Sequence, residues 1–366
     1  MILKLNFEKN DLPLEGLRVL DLSSILAGPL TGSFFAELGA EVIKIENKLT
    51  NGDATRQWKL EKEDTESPIS AYYCSANFGK DVRLLDYHVQ ADINDVEVLL
   101  ANSDVVISNF QKKVAQKFKL DPESVAERYP NIIFAQLSAY KYDDPKPGYD
   151  LVMQGETGWI SMNGSDSNHL AKLPVALIDI IAAHQMKEAI LLALLKKMKT
   201  GKGSVVHISL FKSAISALAN QASNYLMAGH VAKPLGTLHP NIAPYGDIFV
   251  SKDGQNLILA IGSDAQFKKL WFSLGIDEQY YHTFETNSER LSKRSEMQSI
   301  LQGQIGKKGL VEIQQIFELN NLPYCLIKDM GRVFEDSLAQ SMVKSTKIGD
   351  ITAKSVSNVA FEFPSF

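Results

Sequence analysis

The sequence predicts an α/β fold: a large domain on a parallel sheet flanked by helices, joined to a smaller α+β domain. Three observations carry this. Residues 18–46 read as strand, helix, strand; the same alternation recurs as far as residue 137; and from residue 229 the composition shifts to proline and glycine before a hairpin and a run of helices. The boundaries expected are 1–228 plus 326–366 for the large domain and 229–325 for the small one.

Arg18–Ser23 (RVLDLS) has strand character. Ala27-Gly28-Pro29 is a turn with proline at a first helical position, Leu30–Leu38 a helix closed by Gly39, and Glu41–Glu46 (EVIKIE) the next strand. This βαβ unit makes the large domain Rossmann-like. It shares a glycine turn and an acidic strand end, Glu46, with dinucleotide-binding units, but LAGPLTG does not follow their glycine spacing, which argues against a nicotinamide cofactor. Further on, Asp92–Asn102 is expected to be helical, Val105–Ser108 extended, Asp121–Tyr129 helical and Asn131–Leu137 extended. Ligands of parallel sheets gather at strand carboxyl ends, so the turns at 24–29, 47–56, 109–113 and 138–141 form the expected binding rim.

Pro174–Ile178 is a short apolar run with strand character, and from Ile180 apolar residues recur at helical spacing (Ile181, Met186, Ala189, Ile190, Leu192, Leu195) until Lys196–Gly203 stops the helix. Asp179 falls at the joint. Unpaired N–H groups and the positive end of the helix dipole favour an ionised carboxylate there, which fits a nucleophile; a plain helix cap has the same local signature. After this, Gly203–Ser209 alternates as a strand and Leu210–Met227 reads as one long helix. Gly229–Gly246 is an extended crossover, Asp247–Ile261 a hairpin turning at 251–254, and Ala265–Leu274, Glu289–Gly303 and Lys307–Asn320 are helices. The end, Cys325–Phe366, holds short β-like pieces (CLI, VSNVAFEF) that return to the first domain or run beside a partner chain.

Composition narrows the function classes. With 366 residues, 45% hydrophobic and 22% charged, the chain can bury a large core. Its 43 acidic and 38 basic residues are interspersed, giving a net charge of -5, so no nucleic-acid surface is expected. Cys74 and Cys325 are too few for a disulfide framework and lack metal-ligand spacing, so no metal is expected. The N-terminus MILKLNFEKNDLPLEG carries charges where a signal peptide would be apolar, and no run reaches a membrane-spanning length of ~18 residues. The expected location is cytoplasmic.

Several stretches together resemble the class III CoA-transferases, the family of formyl-CoA, carnitine and bile-acid CoA-transferases (CaiB/BaiF type). They are GLRVLDLSSILAGP (16–29), ELGAEVIKIE (37–46), GDATR (52–56), NFGKDVRLLD (77–86), SDVVISNF (103–110), GYDLVMQGETG (148–158), PVALIDIIAA (174–183), TGKGSVVHISLF (200–211) and HPNIAPYG (239–246), in the family's order over nearly the whole chain. The resemblance implies that Asp179 is the catalytic aspartate, attacking an acyl-CoA thioester to give a mixed anhydride and then an aspartyl-CoA thioester, from which a carboxylic acid acceptor takes the CoA. It implies CoA and acyl-CoA as substrates and no tightly bound cofactor. Oxyanions along this path need donors, and the amides of Ala27, Gly28 and the Gly155–Gly158 stretch are the candidates.

Within the same superfamily, α-methylacyl-CoA racemases pair the helix-start aspartate with a histidine in a Gly-His-Asp segment. Here the segment reads Gly148-Tyr149-Asp150, and an unperturbed phenol of pKa ~10 is a poor proton shuttle at neutral pH. Transfer is therefore favoured over racemisation, with a divergent CoA-binding homologue of little turnover as a further alternative. His88, His184, His207, His230 and His282 have no matching context. His239 opens HPNIAPYG, which the family places near the acyl end of CoA, so Tyr149 and His239 are the candidate substrate contacts.

For CoA itself the resemblance maps contacts to Ile25, Leu26, Ala27 and Gly28, to Lys48 and Arg56 near the end of the second strand, to Cys74, Ser75 and Asn77, to Asn109, Phe110 and Gln111 with Lys117, and to Ser138, Ala139 and Tyr140. The chain departs from the family at Asn47-Lys48, where relatives carry Arg, and at Gln111-Lys112-Lys113, where they carry Arg-Pro-Gly. Lys48, Arg56, Lys80, Lys112 and Lys117 are the nearby cations that can replace the missing charge. The resemblance also implies an interlocked homodimer in which each chain threads a ring formed by the other, with the active site between the large domain and the partner's small domain. The glycine-rich loop that covers the site in formyl-CoA enzymes has no counterpart around 235–240.

Overall fold

In a computed structural model that describes residues 12–348 and 351–362, the chain divides into two compact units, 1–159 with 173–231 and 340–366, and 160–172 with 232–339. The reading of the N-terminal residues 1–11, and that of the last residues 363–366, lies outside the described residues.

The first unit opens with β1 (Arg18–Asp21), α1 (Ala27–Glu37), β2 (Glu41–Asn47), α2 (Ala71–Ala76), β3 (Asp81–Leu85), α3 (Gln90–Ala101), β4 (Val105–Ser108), α4 (Lys112–Lys117), α5 (Pro122–Arg128), β5 (Ile133–Ser138) and α6 (Asp150–Glu156). A short ribbon, β6 (Gly164–Asp166) with β7 (His169–Leu170), belongs to the second unit; the first resumes with α7 (Leu177–Thr200), β8 (Ser204–Ser209), α8 (Leu210–Ser216) and α9 (Ala219–Ala228). Six strands form one parallel sheet in the order β3-β2-β1-β4-β5-β8. The order reverses direction between β1 and β4, the switch point where parallel sheets open a crevice.

Continuous apolar strands are what burial on both faces requires. Val105, Ile107, Ile133 and Ala135 join α1 and α7 residues such as Phe34, Phe35, Ile178, Met186 and Ile190 in one core. Val106 and Phe134, one residue out of phase, join Val96, Leu100 and Val125 from α3 and α5 in the other. The edge strand β3 is charged and largely exposed, which hid its period from the sequence.

Three elements differ from expectation. Pro174–Ile178 is not a strand: no sheet neighbour is available, Leu177 N–H turns back on Val175 O at 2.8 Å, and α7 has already begun at Leu177. The long helix expected over 210–227 breaks at 217–218, and Ala219 takes a positive φ of 48°. The tail forms a hairpin, β12 (Val343–Ile348) with β13 (Ile351–Val356), that docks on the first unit: Ala353 packs with Ile69, Tyr73 and Cys74, and Glu37 of α1 accepts from Ser357 Oγ at 2.5 Å and Asn358 N at 2.9 Å.

The second unit is not the single run 229–325 expected from composition, since it takes in 160–172 and extends to 339. Its sheet is β9 (Tyr245–Val250), β10 (Asn256–Ala260) and β11 (Tyr324–Leu326), antiparallel, with the expected turn at Gly254, φ 76°. Phe249, Leu257, Trp271, Phe284, Leu301 and Phe317 fill its own core. Among the described residues no helix is long and apolar enough to cross a membrane.

Candidate active site

Asp179 is the third residue of α7, not its cap. The cap position is Ala176, which has no side-chain acceptor. The orphan N–H groups of this helix start are met from another element: Asp150, first residue of α6, accepts at Oδ1 from Ile178 N at 2.7 Å and from Asp179 N at 3.3 Å. Its other oxygen accepts from Gln154 Nε2 at 2.5 Å, one turn along α6, and Gln154 Oε1 in turn accepts from Leu173 N at 2.9 Å. Gln154 is 1% exposed. Two residues of α6 thus tie the segment 173–179 to that helix through three backbone N–H groups.

This geometry changes the electrostatics expected of Asp179. Burial and then the neighbouring Asp150 carboxylate push its pKa up from 3.8 to about 7, so the helix dipole does not hold it far below neutrality. Tyr72, on α2, feels the same pair: burial, then Asp179, then Asp150 raise its phenol. A half-buried carboxylate titrating near neutrality is a stronger nucleophile than an ordinary surface aspartate once ionised.

Six of the sixteen residues assigned to CoA by resemblance, Ile25, Asn109, Phe110, Gln111, Ser138 and Ala139, line a cavity at the switch point. This cavity, of about 290 Å³, is also lined by Ser24, Gly148 and Tyr149. A second, of about 320 Å³, shares Ser24, Ile25 and Phe110 and continues over Asn47, Asp53, Tyr87, His88 and Phe118. Tyr87 packs against Phe110 and Phe118 at centroid distances of 5.9 and 5.2 Å, and its buried hydroxyl has no protein partner. Ile25, common to both cavities, has φ 73°, a costly conformation for a β-branched residue. It is pinned there by its N–H to Asp53 Oδ2 at 3.1 Å, and Asn109 clasps the same loop through Ser24 N and Ser24 O. A larger cavity of about 710 Å³ lies at the opposite end of the sheet, where Lys197 and Arg128 are already paired with Asp104 and Glu97.

The remaining assignments divide. Leu26 is buried, and Ala27 and Gly28 open α1, where helix geometry leaves the N–H groups without intrahelical partners. Gly155 lies inside α6, so its N–H belongs to that helix and not to an oxyanion. Lys48 is exposed after β2, and Lys117 approaches His88 Nε2 at 3.2 Å on the rim of the aromatic cavity, with His88 Nδ1 3.0 Å from Asp86. Tyr140 donates to Glu156 at 2.6 Å. Ser75 is exposed and bonds Tyr72 O, while Cys74 is buried against the tail hairpin.

Arg56, Asn77 and Lys80 are committed to a buried ionic web. Arg56 donates to Glu46 at 2.6 Å, to Tyr73 Oη at 2.6 Å and to Pro68 O at 3.3 Å, and its guanidinium lies 4.0 Å from the Tyr73 ring. Lys80 pairs with Asp21 at 2.8 Å and contacts Pro29 O and Asn77 Oδ1; Lys44 pairs with Asp53 at 3.3 Å. Burial lowers Lys80 to about 8, with Asp21 opposing it. For Asp21, burial is outweighed by Lys80 and Lys44, and its pKa falls. These cations brace the loops of the switch point; Lys80 has all three of its donors engaged, whereas Arg56 keeps a further N–H on each Nη atom.

His239 lies in the second unit. Its Nδ1 accepts from Asn241 N at 3.1 Å, which places the proton of the neutral ring on Nε2. The loop is held by Arg294, which donates to His239 O at 2.7 Å and Tyr245 O at 3.0 Å, and by Arg290, which donates to Ala243 O at 2.6 Å.

Residues that the sequence reading did not single out are Asp150, Gln154, Tyr72, Tyr87 and Phe118. The i,i+4 spacing of Asp150 and Gln154 was a visible sign of a helix start, but their partners lie 28 and 19 residues away.

The model for "CoA-transferase family III" matches residues 14–364. The chain is 34% identical to a succinate–glutarate CoA-transferase of Agrobacterium fabrum, over 90% of this chain and 83% of that protein, and 31% identical to the human succinyl-CoA:glutarate CoA-transferase, over 88% and 74%. In structure it is similar to a CAIB/BAIF family protein from Brucella suis, with TM-score 0.81 and 32% identity over 96% of this chain and 93% of that one. Rv3272 from Mycobacterium tuberculosis matches with TM-score 0.81 and 27% identity over 97% and 94%.

Proposed function

Since the chain belongs to CoA-transferase family III, we propose that it moves CoA between short carboxylic acids through covalent intermediates on Asp179. The carrying observation is a half-buried carboxylate, raised to about 7, fixed in the first turn of α7 by a second carboxylate that is itself fully hydrogen-bonded. The Asp179 oxygen attacks the thioester carbonyl, the C–S bond breaks, and CoA thiolate leaves behind a mixed anhydride. The thiolate then attacks the aspartyl carbon, releasing the donor acid and leaving an aspartyl-CoA thioester. The acceptor carboxylate reverses both steps and restores Asp179. The N–H groups of Ala27 and Gly28, in the first turn of α1, are the helix-start donors proposed for the oxyanions.

In this reading CoA lies across the switch point. Its nucleotide end occupies the cavity walled by Tyr87, Phe110 and Phe118, where aromatic faces suit adenine and the Tyr87 hydroxyl can donate. Lys117 and Lys48 supply positive charge at the rim, and the pantetheine passes Ile25, Asn109 and Ser138. The relatives named for succinate and glutarate point to short dicarboxylates as donor and acceptor. The chain acts as a homodimer, a reading supported by the apolar side chains that α7 and α9 leave exposed: Leu192, Leu195, Met198, Leu226 and Met227. Racemisation is not favoured, because Tyr149 holds the place of the histidine and is 65% exposed.

The test incubates the protein with succinyl-CoA and a panel of mono- and dicarboxylic acids and follows CoA exchange by mass spectrometry, beside Asp179→Ala. Exchange is expected with the native chain and absent in the variant. Exchange retained by Asp179→Ala sinks the covalent route, α-proton exchange without CoA transfer supports a racemase, and binding of CoA with no exchange of any acid indicates a homologue that binds without turnover.

A further inference from the structure

Among the described residues, Asp150 both bonds the nucleophile's helix turn and acts by its charge on the nucleophile. Both of its oxygens are engaged, Oδ1 by two backbone N–H groups of α7 and Oδ2 by Gln154 Nε2. A single backbone cap does not need a charged residue, since a neutral acceptor satisfies the same donors. What a neutral acceptor cannot do is place a fixed negative charge beside Asp179.

We propose that Asp150 is a positioning residue that acts in two ways: its hydrogen bonds hold the first turn of α7, and its charge disfavours the Asp179 carboxylate relative to the uncharged acylated forms of that side chain. The inference rests on the covalent reading given above. When Asp179 attacks a thioester, the negative charge on its carboxylate leaves with the CoA thiolate. A neighbouring anion that cannot move therefore favours formation of the anhydride and of the aspartyl-CoA thioester over return to the carboxylate. Three donors point at the Asp150 carboxylate, two backbone N–H groups of α7 and Gln154 Nε2. Among the described residues, the charge that acts on Asp179 from another element is Asp150 on α6, and Tyr72 on α2 is a phenol whose ionisation burial and then both carboxylates suppress. Removal of the Asp150 charge leaves burial as the remaining upward influence on Asp179, so the shift is reduced and not abolished.

The substitution Asp150→Asn separates the two roles, because an amide oxygen still accepts from Ile178 and Asp179 N–H while the charge is gone. Asp150→Ala removes both. Two measurements on the full chain are needed: the pH profile of kcat and KM for CoA exchange, and the pH dependence of carbodiimide labelling of Asp179, read by mass spectrometry without any substrate. For Asp150→Asn the labelling midpoint and the acidic limb of kcat are expected to fall together by about one pH unit, with kcat at pH 8 down roughly tenfold and KM within about twofold. Asp150→Ala is expected to lose kcat further and to lower the melting temperature. If Asp150→Asn folds and its labelling midpoint equals that of the native chain, the charge role is overturned. If Asp150→Ala matches Asp150→Asn in both kcat and melting temperature, the anchoring role is overturned. Failure of the covalent reading itself shows differently, as exchange that survives Asp179→Ala.

Discussion

At the scale of the residue, Asp179 holds two properties in opposition. A carboxyl group with a folded-state value near 7 and an unfolded value near 3.8 is protonated in both states below about pH 4 and costs nothing there. Between about pH 4 and 7 the unfolded chain releases the proton first, so stability falls as pH rises, and the loss is complete above pH 7. Asp179→Asn should therefore abolish CoA exchange and yet raise stability at pH 8 by about 2 kcal/mol after discounting for partial exposure, with no gain at pH 4. Thermal denaturation of both proteins at the two pH values checks this. Arg56 gives the opposite case. Its loss in Arg56→Gln strands the buried Glu46 carboxylate, and the expected cost is about 3 kcal/mol, read from urea unfolding. A phosphate-binding arginine at the surface would instead weaken CoA affinity with little effect on stability.

At the scale of the element, α1 and α7 carry the site because their first turns meet the loops at the sheet's switch point. Gly28 shows how closely: a Cβ built there would collide with the side chain of Ser23, which follows β1. Gly28→Ala should push the 23–28 loop outward and weaken CoA binding by roughly tenfold, about 1.4 kcal/mol, in calorimetry. An unchanged affinity would remove this loop from the proposed CoA path. The helix boundaries were legible where a local signal existed, as at Asp121 with Pro122, whose carboxylate accepts from Ser124 N at 3.0 Å. They were misread where the partner was remote. Pro174–Ile178 looked like a strand because it is apolar and short, and nothing local showed that Asp150 and Gln154 take its backbone donors.

At the scale of the whole molecule, the apolar period of α7 proved to serve two faces. Met186, Ile190 and Ala193 enter the core, whereas Leu192, Leu195 and Met198 stay exposed, as do Leu226 and Met227 on α9. If these residues face a second copy of the chain, Leu192→Glu with Leu226→Glu should convert a dimer to a monomer in sedimentation while each chain stays folded. A native chain that sediments as a monomer at micromolar concentration would sink the dimer proposal. The tail hairpin belongs to this scale too, since Glu37 and the Ile69–Tyr73–Cys74 cluster fix it to the first unit from more than 270 residues away in sequence.

By itself the sequence determined the parallel α/β sheet, through apolar runs that alternate with helical periods, and it determined the family, through many short stretches in a fixed order. It also brought Asp179 to a helix start, which is a local pattern, while the proposed role of that residue came from the family resemblance. Only the tertiary structure decided that Asp179 is uncapped by its own neighbours, that Asp150 takes that place, and that Arg56 and Lys80 brace the site from inside. The reason is physical: dihedral preference and hydrophobic period are local quantities, whereas the charge state of a carboxylate depends on which other groups the folded chain brings within a few ångströms.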